Sequence, residues 1–298
     1  MLVFYCSIGL AHSAPQVLIV LSESGGAYRE AAEALRSALQ EQGIAVRSVP
    51  VSEINNAATP TLEADILVAL GARAMEAMAQ SRKPILNILV PRQNFESLRT
   101  RIKLEPSLFS AIYLDQPLAR YFRLAKQILP GRSRVGVVLG PATLDRIKPL
   151  QQAAREQQLV LEIEQVASEE EIIPALKRLL NSDQVLLALP DPLVFNKNTA
   201  HSVLLTSYRA QTPLIAYSKA YVQAGALAAV YSTPAQIGQQ AAEMVARALQ
   251  TKNFVLPAPQ HPKYFSVSVN YQVGRSLGFT LEEEATLWDR IKTEAERE

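Results

Sequence analysis

Small polar, glycine and charged residues follow several of the predicted strands directly, and these positions are the best placed for chemistry. In open parallel sheets, small ligands bind at the carboxyl ends of the strands. Glycines and hydroxyl residues at helix N-termini expose backbone N–H groups to an anion. Arg73 and Lys219 would add positive charge, and Asp191 would suit an amine. The predicted ligand-binding residues are Ser22, Ser24, Gly25, Gly71, Ala72, Arg73, Asp115, Asp191, Ser218, Lys219 and Tyr231.

The same residues also fit a purely structural interpretation. Hydroxyl side chains favour helix caps, which would account for the serines. The pair Gly25-Gly26 fits a turn, and Arg73 and Lys219 fit solvent-facing positions. The sequence leaves both interpretations open for each of these residues.

Signatures of catalytic and metal sites are missing from the sequence. The three histidines, His12, His201 and His261, form no pair with the spacing of metal ligands. There is no Gly-x-Ser-x-Gly elbow, no phosphate-loop lysine motif and no Gly-x-Gly-x-x-Gly fingerprint. We therefore predict a protein that is not an enzyme and has no cofactor or metal. An acidic pair from distant loops, such as Glu23 with Asp191, remains as an enzymatic alternative.

Composition excludes several functional classes. The chain has 298 residues, of which 48% are hydrophobic and 19% charged, as in a soluble globular protein rather than a disordered one. The net charge is only +2 and no long Lys/Arg run occurs, so we expect no nucleic-acid partner. No apolar run reaches the roughly 20 residues of a membrane span.

The N-terminal residues resemble a secretory signal. Residues Met1 to Ala14 are apolar and uncharged, and Ala11-His12-Ser13 fits a small-x-small cleavage site before Ala14. The usual positive start is missing, which suggests a truncated beginning. Phe4-Tyr5 before Cys6 argues against a lipid anchor, and Cys6 would leave with the signal. We predict a signal peptide at 1–14 and a periplasmic location; an ordinary apolar first strand is the alternative.

A layout of strand, turn, helix and strand occurs twice in the chain. The first copy runs from Val17 to Val46, and the second begins at Val135, about 118 residues further on. The next strands also correspond, since Ile66–Gly71 resembles Val185–Pro190. The spacing predicts two similar α/β lobes, and a cleft between lobes is a common site for small ligands.

The elements that position these loops are apolar runs alternating with helical patterns. Most runs are continuous in Val, Ile, Leu and Ala, which is typical of parallel strands covered by helices on both faces. The pattern predicts an α/β fold of two similar Rossmann-like lobes with parallel sheets. The predicted strands are Val17–Ser22, Ile44–Val49, Ile66–Gly71, Ile85–Val90, Ser110–Leu114, Arg134–Gly140, Leu159–Val166, Gln184–Leu189, Leu214–Ser218, Ala226–Tyr231 and Phe265–Asn270.

Three segments are predicted to cross between the lobes: Leu114–Pro117, Tyr231–Pro234 and the proline-rich Phe254–Pro262. They divide the mature chain into an N-terminal lobe, 15–114 with 233–256, and a C-terminal lobe, 115–232 with 257–298. A last helix is predicted after Gly278, with Thr280 and Glu283 as its capping box.

Several segments in the second half resemble the ABC transporter substrate-binding protein family of the tryptophan/tyrosine type. The segment 112–117 (IYLDQP) resembles the family's first crossing, and 134–141 (RVGVVLGP) resembles its R-(I/V)-G-V-(L/V)-x-(N/G)-P segment. The segments 224–229 (AGALAA), 236–242 (QIGQQAA) and 269–278 resemble its later strand and closing segments. The resemblance implies the type I periplasmic-binding-protein fold with three hinge crossings.

The resemblance also implies a function. We expect a monomer that binds a small molecule in the inter-lobe cleft and delivers it to an ABC permease in the inner membrane. Where many members have an acidic residue, this chain has Lys219, which favours an anion over an ammonium. The expected ligand is an amino acid or another small carboxylate-bearing molecule.

Two positions depart from the family. Many members have Ser or Thr where this chain has Gly71-Ala72-Arg73, and many have Thr where it has Pro190. These departures motivate an alternative, a non-transport sensor or protein-interaction module of the same fold. A DNA-binding regulator is disfavoured, because no helix-turn-helix pattern precedes Val17.

Overall fold

The computed structural model describes residues 16–54, 64–102, 105–181, 184–251 and 253–295. The predicted signal peptide at 1–14, with Cys6 and His12, lies outside these residues. None of the described helices is long and apolar enough to span a membrane.

The first sheet has five parallel strands in the order β2-β1-β3-β4-β5. Its strands are β1 (Gln16–Leu21), β2 (Ala45–Pro50), β3 (Ile66–Leu70), β4 (Ile85–Val90) and β5 (Phe109–Tyr113). Four of the five strands are almost wholly buried, because helices cover both faces. The continuous apolar runs of the sequence follow from this burial.

The second sheet has six strands in the order β11-β10-β9-β8-β6-β7. Its strands are β6 (Arg134–Leu139), β7 (Val160–Gln165), β8 (Gln184–Leu187), β9 (Leu214–Ala216), β10 (Ala228–Tyr231) and β11 (Ser266–Val269). The order β7-β6-β8-β9-β10 repeats that of the first sheet, which is the duplication expected from the sequence. The added strand β11 pairs antiparallel to β10, so the second sheet is not purely parallel.

Helices connect and cover the strands. They are α1 (Gly26–Gln40), α2 (Ala72–Met78), α3 (Arg92–Arg101), α4 (Leu118–Ile128), α5 (Ile147–Glu156), α6 (Ile172–Leu179), α7 (Ala200–Arg209), α8 (Lys219–Ala224), α9 (Pro234–Leu249), α10 (Tyr271–Ser276) and α11 (Glu284–Ala295). In α1, Ala31, Leu35 and Leu39 are fully buried on the first sheet, and Ala38 is half-buried beside them. The α/β fold predicted from strand-helix alternation is confirmed.

The chain passes between the two sheets three times. Segment 114–117 leaves the end of β5 and enters α4, which packs on the second sheet. Segment 232–233 leads from β10 into α9, whose apolar side packs on α1. The chain after α9 then returns to β11 in the second sheet. On the way, Gln260 pairs with β5 through two backbone hydrogen bonds, 3.0 Å to Tyr113 and 2.9 Å to Ala111.

The predicted cap of the last helix is wrong. Gly278 ends α10 with φ of +80°, as a helix-stop glycine does, but α11 begins at Glu284 rather than after Thr280. The Leu281 side chain packs against Gly274, and the Glu284 carboxylate accepts the Val269 N–H at 2.7 Å. These anchors hold residues 279–283 out of the helix.

Candidate functional site

A cavity of about 700 Å³ lies where the carboxyl ends of the two sheets face each other. On the side of the first sheet, the start of α3 and residues 114–115 line it. On the side of the second sheet, a 3₁₀ turn, Pro141–Arg146, and residues 190–192 line it together with Phe195 and Tyr217. Every lining segment follows a strand, in agreement with the strand-end rule. The volume fits a small organic molecule.

Two ion pairs join opposite walls of this cavity. The Arg146 Nη1 lies 3.2 Å from the Asp115 Oδ1, and both side chains are buried, with 9% and 8% exposed. The Arg92 Nη2 lies 3.7 Å from the Asp145 Oδ2, and these side chains are 37% and 66% exposed. Asp115 also accepts the Arg92 backbone N–H at 2.7 Å through Oδ2. The cavity therefore has cations and anions on both walls.

Asp191 is buried and saturated with hydrogen bonds. Its Oδ2 accepts the Gly140 N–H at 3.0 Å and the Thr143 hydroxyl at 2.6 Å. Its Oδ1 accepts the backbone N–H groups of Leu193 and Val194 at 2.8 and 3.0 Å. Four donors fill the four lone-pair directions of a carboxylate. Asp191 therefore fixes the 3₁₀ turn and its own loop, and has no lone pair left for the amine that the sequence suggested.

Aromatic side chains form one wall of the cavity. The Phe195 and Tyr217 rings meet edge to face at 6.4 Å, and Tyr221 packs behind both. The Tyr217 hydroxyl donates to the Phe195 carbonyl at 3.3 Å. Burial raises the Tyr217 pKa far above its usual range, so the side chain is a neutral phenol at pH 7. This wall offers an apolar surface to a ligand.

Of the predicted site residues, Asp115 and Asp191 line the cavity. Four others form a separate cluster at the ends of β1 and β3. The Ser22 hydroxyl accepts the Ala74 N–H at 2.9 Å, and Arg73 donates to the Ser22 carbonyl at 2.6 Å. Gly71 adopts φ of +88° against Ser22 and Tyr28, and Ala72 begins α2. These contacts fit the structural interpretation of the cluster, and a ligand role for it stays a prediction.

The remaining predicted residues also lie outside the cavity lining. Ser24 and Gly25 are exposed before α1, and Ser218 precedes α8 without a side-chain capping bond. Lys219 is exposed at the start of α8, and Tyr231 is half-buried at the end of β10. Their role as ligand contacts stays a prediction.

Sequence reasoning missed Arg92, Arg146, Phe195 and Tyr217. A signal existed for Arg92, because Pro91-Arg92 directly follows β4 and the strand-end rule applies there too. Tyr217 is the neighbour of the predicted Ser218. For Arg146, nothing in the sequence context separates it from a surface arginine.

His261 lies behind the buried ion pair. Its Nδ1 is 2.9 Å from the Asp115 carbonyl oxygen, and its ring contacts Tyr113 edge to face at 5.2 Å. Burial lowers the His261 pKa below 6.5, against the opposing effect of Asp115. Within the described ranges, no three His, Cys, Asp or Glu side chains are grouped as metal ligands.

Two sheets that face each other across a cavity, joined by three connections, define a type I periplasmic-binding-protein fold. The family model described as ABC transporter substrate binding protein matches residues 115–288, which is more than half of the chain. The chain belongs to this family, as the resemblance of its second half predicted. Proteins of this family bind small molecules, work with an ABC permease and are not enzymes. This excludes the dispersed acidic pair as a catalytic site.

Solved structures share the fold. An open, ligand-free substrate-binding protein with adhesive properties from Clostridium difficile has a TM-score of 0.71 at 17% identity, covering 91% of this chain and 97% of that one. An ABC domain from Streptococcus pneumonia in complex with L-Trp has a TM-score of 0.62 at 14% identity, covering 93% and 98%. A conserved domain protein from Vibrio cholerae has the same TM-score and coverages at 20% identity. No curated protein matches the sequence.

Proposed function

We propose that this protein is the periplasmic receptor of an ABC importer and binds one amino acid or another small carboxylate-bearing solute in the cavity between its sheets. The observation that carries the proposal is the cavity itself, which is lined from both sheets and has the size of a small metabolite. Closure of the two walls around the solute would present both to the membrane permease.

The chemistry of the lining supports an amino acid over a simple anion. The lining holds two cations, Arg92 and Arg146, and, apart from the saturated Asp191, three carboxylates: Glu96, Asp115 and Asp145. A solute with only negative charge would meet an excess of carboxylates, whereas a zwitterion has a partner for each group. Lys219, the basis for expecting an anion, lies outside the lining. Phe195 and Tyr217 offer a surface to an apolar side chain, and the streptococcal protein of this fold has L-Trp bound.

The division into lobes, the location and the oligomeric state belong to the same proposal. Packing of α9 on α1 and pairing of β11 with β10 support lobes of 15–114 with 233–256 and of 115–232 with 257–298. Membership of the family supports export, with residues 1–14 as the signal peptide. A monomer suffices, because one chain supplies both walls of the cavity.

A thermal-shift screen tests the proposal. Purified protein is melted with each of the common amino acids, small carboxylates and sugars at millimolar concentration. A solute that binds only the folded state at 100 times its Kd adds about 2.7 kcal/mol to the free energy of unfolding, so we expect the melting temperature to rise with one group of amino acids.

Two variants locate the binding. Ala142→Trp fills the cavity from the 3₁₀ turn and should abolish the shift, whereas Ala167→Trp, at an exposed position outside the lining, should keep it. If no compound raises the melting temperature and native mass spectrometry finds no co-purified molecule, the receptor function is wrong. Recovery of a protein partner other than a permease would then favour the sensor alternative.

A further inference from the structure

Charged side chains line the cavity, and three of them are already firmly paired. Asp191 accepts four hydrogen bonds, and Asp115 and Arg146 form the buried ion pair. Such contacts occupy the lone pairs and N–H groups that a charged solute would need. The groups that remain for the solute are the lining charges with loose or incomplete pairing.

Arg92 is the lining cation with the looser pairing. Its Nη2 lies 3.7 Å from the Asp145 Oδ2, and the two side chains are 37% and 66% exposed. An ion pair that is this long and this hydrated contributes little free energy, so a solute carboxylate can replace Asp145 at small cost. The planar guanidinium can bind a carboxylate through two parallel N–H groups.

Glu96 is a lining carboxylate that is fixed in position but not saturated. Its Oε1 accepts the Tyr113 hydroxyl at 2.6 Å, and its Oε2 lies 2.6 Å from the Arg99 Nη2. Burial, together with the hydrogen bond to Glu96, raises the Tyr113 pKa far above its usual range, so the phenol keeps the proton that it donates. Within the described part of the chain, these two partners occupy two of the four lone-pair directions of the carboxylate. The remaining two can accept N–H groups of an ammonium.

Arg92 and Glu96 lie four residues apart on α3, so their side chains are neighbours on one face of the helix. Both line the cavity, whereas Phe95 and Leu98 bury the other side of α3 against the first sheet. Because one helix carries both charges, their spacing does not depend on how the two sheets sit relative to each other. An α-amino acid has its ammonium and its carboxylate on the same carbon atom, so a cation and a carboxylate on adjacent turns can bind both.

We infer that Arg92 and Glu96 bind the two charged groups of the solute: Arg92 binds the α-carboxylate and Glu96 binds the α-ammonium. Tyr113 is a positioning residue, because its hydroxyl holds Glu96 from outside the lining. The inference rests on the proposed receptor function and narrows its solute to an α-amino acid.

Three compounds test the assignment by isothermal titration calorimetry. They are the L-amino acid that gives the largest shift in the thermal screen, its deamino acid, which lacks the ammonium, and its amide, which lacks the carboxylate. Wild type should bind the amino acid most tightly. Glu96→Gln keeps an oxygen for the Tyr113 hydroxyl but loses the charge, so we expect it to bind the amino acid about tenfold to hundredfold more weakly. Its affinity for the deamino acid should not fall.

Arg92→Gln should show the reciprocal pattern, with a weaker affinity for the amino acid and an unchanged affinity for the amide. Tyr113→Phe removes only the hydroxyl that holds Glu96. We expect it to reduce the preference for the amino acid over the deamino acid, by less than Glu96→Gln does. Glu41→Gln, at an exposed position outside the lining, is the control and should bind all three compounds as wild type does.

Asp145→Asn tests the rival carboxylate of the same cavity. If this variant, and not Glu96→Gln, loses the preference for the amino acid over the deamino acid, the ammonium binds Asp145 and the inference is wrong. A Glu96→Gln protein that keeps the wild-type preference, or that binds both compounds equally more weakly, also overturns it, while the receptor function stands. If Glu96→Gln does not fold, an unchanged preference in Tyr113→Phe overturns the inference and a reduced one supports it.

A failure of the proposed function gives a different result. Wild type that binds a small carboxylate but no amino acid overturns the inference and leaves the receptor function in place. Wild type that binds none of the screened compounds and has no co-purified molecule overturns both.

Discussion

His261 joins two connecting segments through one hydrogen bond. Its Nδ1 faces the Asp115 carbonyl at 2.9 Å, so the neutral ring with a proton on Nδ1 is the form that fits. Burial lowers the His261 pKa, the hydrogen bond and charge of Asp115 raise it, and the nearby Arg146 and Arg92 lower it further. The net shift is downward, so the folded protein disfavours protonation of this ring.

We expect the free energy of unfolding to fall as the pH is lowered from 7.5 to 5.5. The unfolded chain takes up a proton at His261 near pH 6.5, whereas the folded chain takes it up only at lower pH, so protons favour unfolding in this window. The loss from this residue is at most about 1.4 kcal/mol at pH 5.5. Urea unfolding of wild type and His261→Gln at both pH values measures it.

The His261→Gln variant should lose less stability between the two pH values than wild type. His201→Gln, which removes the exposed imidazole of α7, is the control for the substitution itself. Equal pH dependence in wild type and His261→Gln would contradict the interpretation.

Sequence reasoning could reach some residues of the cavity but not their pairing. The strand-end rule led to Asp115 and Asp191, since it depends only on where strands stop. It also led to Arg73, whose guanidinium donates to the Ser22 carbonyl and lies outside the cavity lining. Arg92 and Arg146, the cationic members of the two ion pairs, lie on opposite sheets. Which charges meet therefore depends on how the sheets face each other. No local pattern encodes that arrangement.

Among the elements, α9 follows a strand of the second sheet but packs on α1 of the first sheet. Thr233 and Gln236 form a reciprocal capping box at its start, with Pro234 in the first turn. Further along, Gly238 faces α1 so closely that an added Cβ would overlap the Ala31 carbonyl oxygen. The missing side chain therefore sets how near α9 can approach α1 in the core of the first sheet.

Gly238→Ala should destabilise the protein despite the better helix propensity of alanine. Alanine favours the helix by about 1 kcal/mol, but the overlap is with backbone, which cannot rotate away, and such overpacking costs about 1–3 kcal/mol or more. We expect a lower urea midpoint. Gln239→Ala, at the next and exposed position of α9, is the control and should unfold within about 0.5 kcal/mol of wild type. A Gly238→Ala protein as stable as that control would contradict the close approach.

Strands were more predictable than helix ends. All eleven predicted strands are present with small shifts at their ends, because buried parallel strands need long apolar runs. Helices of six or seven residues, such as α2, α8 and α10, have fewer than two full turns and show no clear periodicity. The start of α11 depends on contacts of Leu281 and Glu284 with residues distant in sequence. The local capping pattern at Thr280 contains no information about these contacts.

At the scale of the whole molecule, one side-chain network ties the three connecting segments together. Gln116, in the first segment, donates to the Ser232 hydroxyl in the second at 2.8 Å. Ser232 in turn donates to the Tyr264 carbonyl in the third at 2.5 Å. Arg120, on α4, contacts Gln116 Oε1 at 2.8 Å and the carbonyls of Pro262 and Lys263 at 2.7 and 3.2 Å. The connections are therefore held to one another as well as to their own sheets.

Arg120 is the centre of this network and is itself buried. Its guanidinium lies 4.3 Å from the centre of the Phe265 ring. Burial lowers the Arg120 pKa to about 10, which still leaves the group cationic at neutral pH. The planar guanidinium has several N–H donors, so it can bind three oxygens and stack on a ring at once. The compact ammonium of a lysine cannot do both.

We therefore expect Arg120→Lys to destabilise the whole chain although it keeps the charge. The shorter reach and different geometry of lysine leave the buried carbonyl of Pro262 and the half-buried carbonyl of Lys263 without their donor. A buried group left unsatisfied costs about 1–3 kcal/mol. Urea unfolding measures this loss. Arg155→Lys, an exposed position on α5, is the matched control and should change the free energy of unfolding by less than about 0.5 kcal/mol. Because the network joins all three connections, the loss should appear in a single unfolding transition. A stability equal to the control would show that the connections do not depend on Arg120.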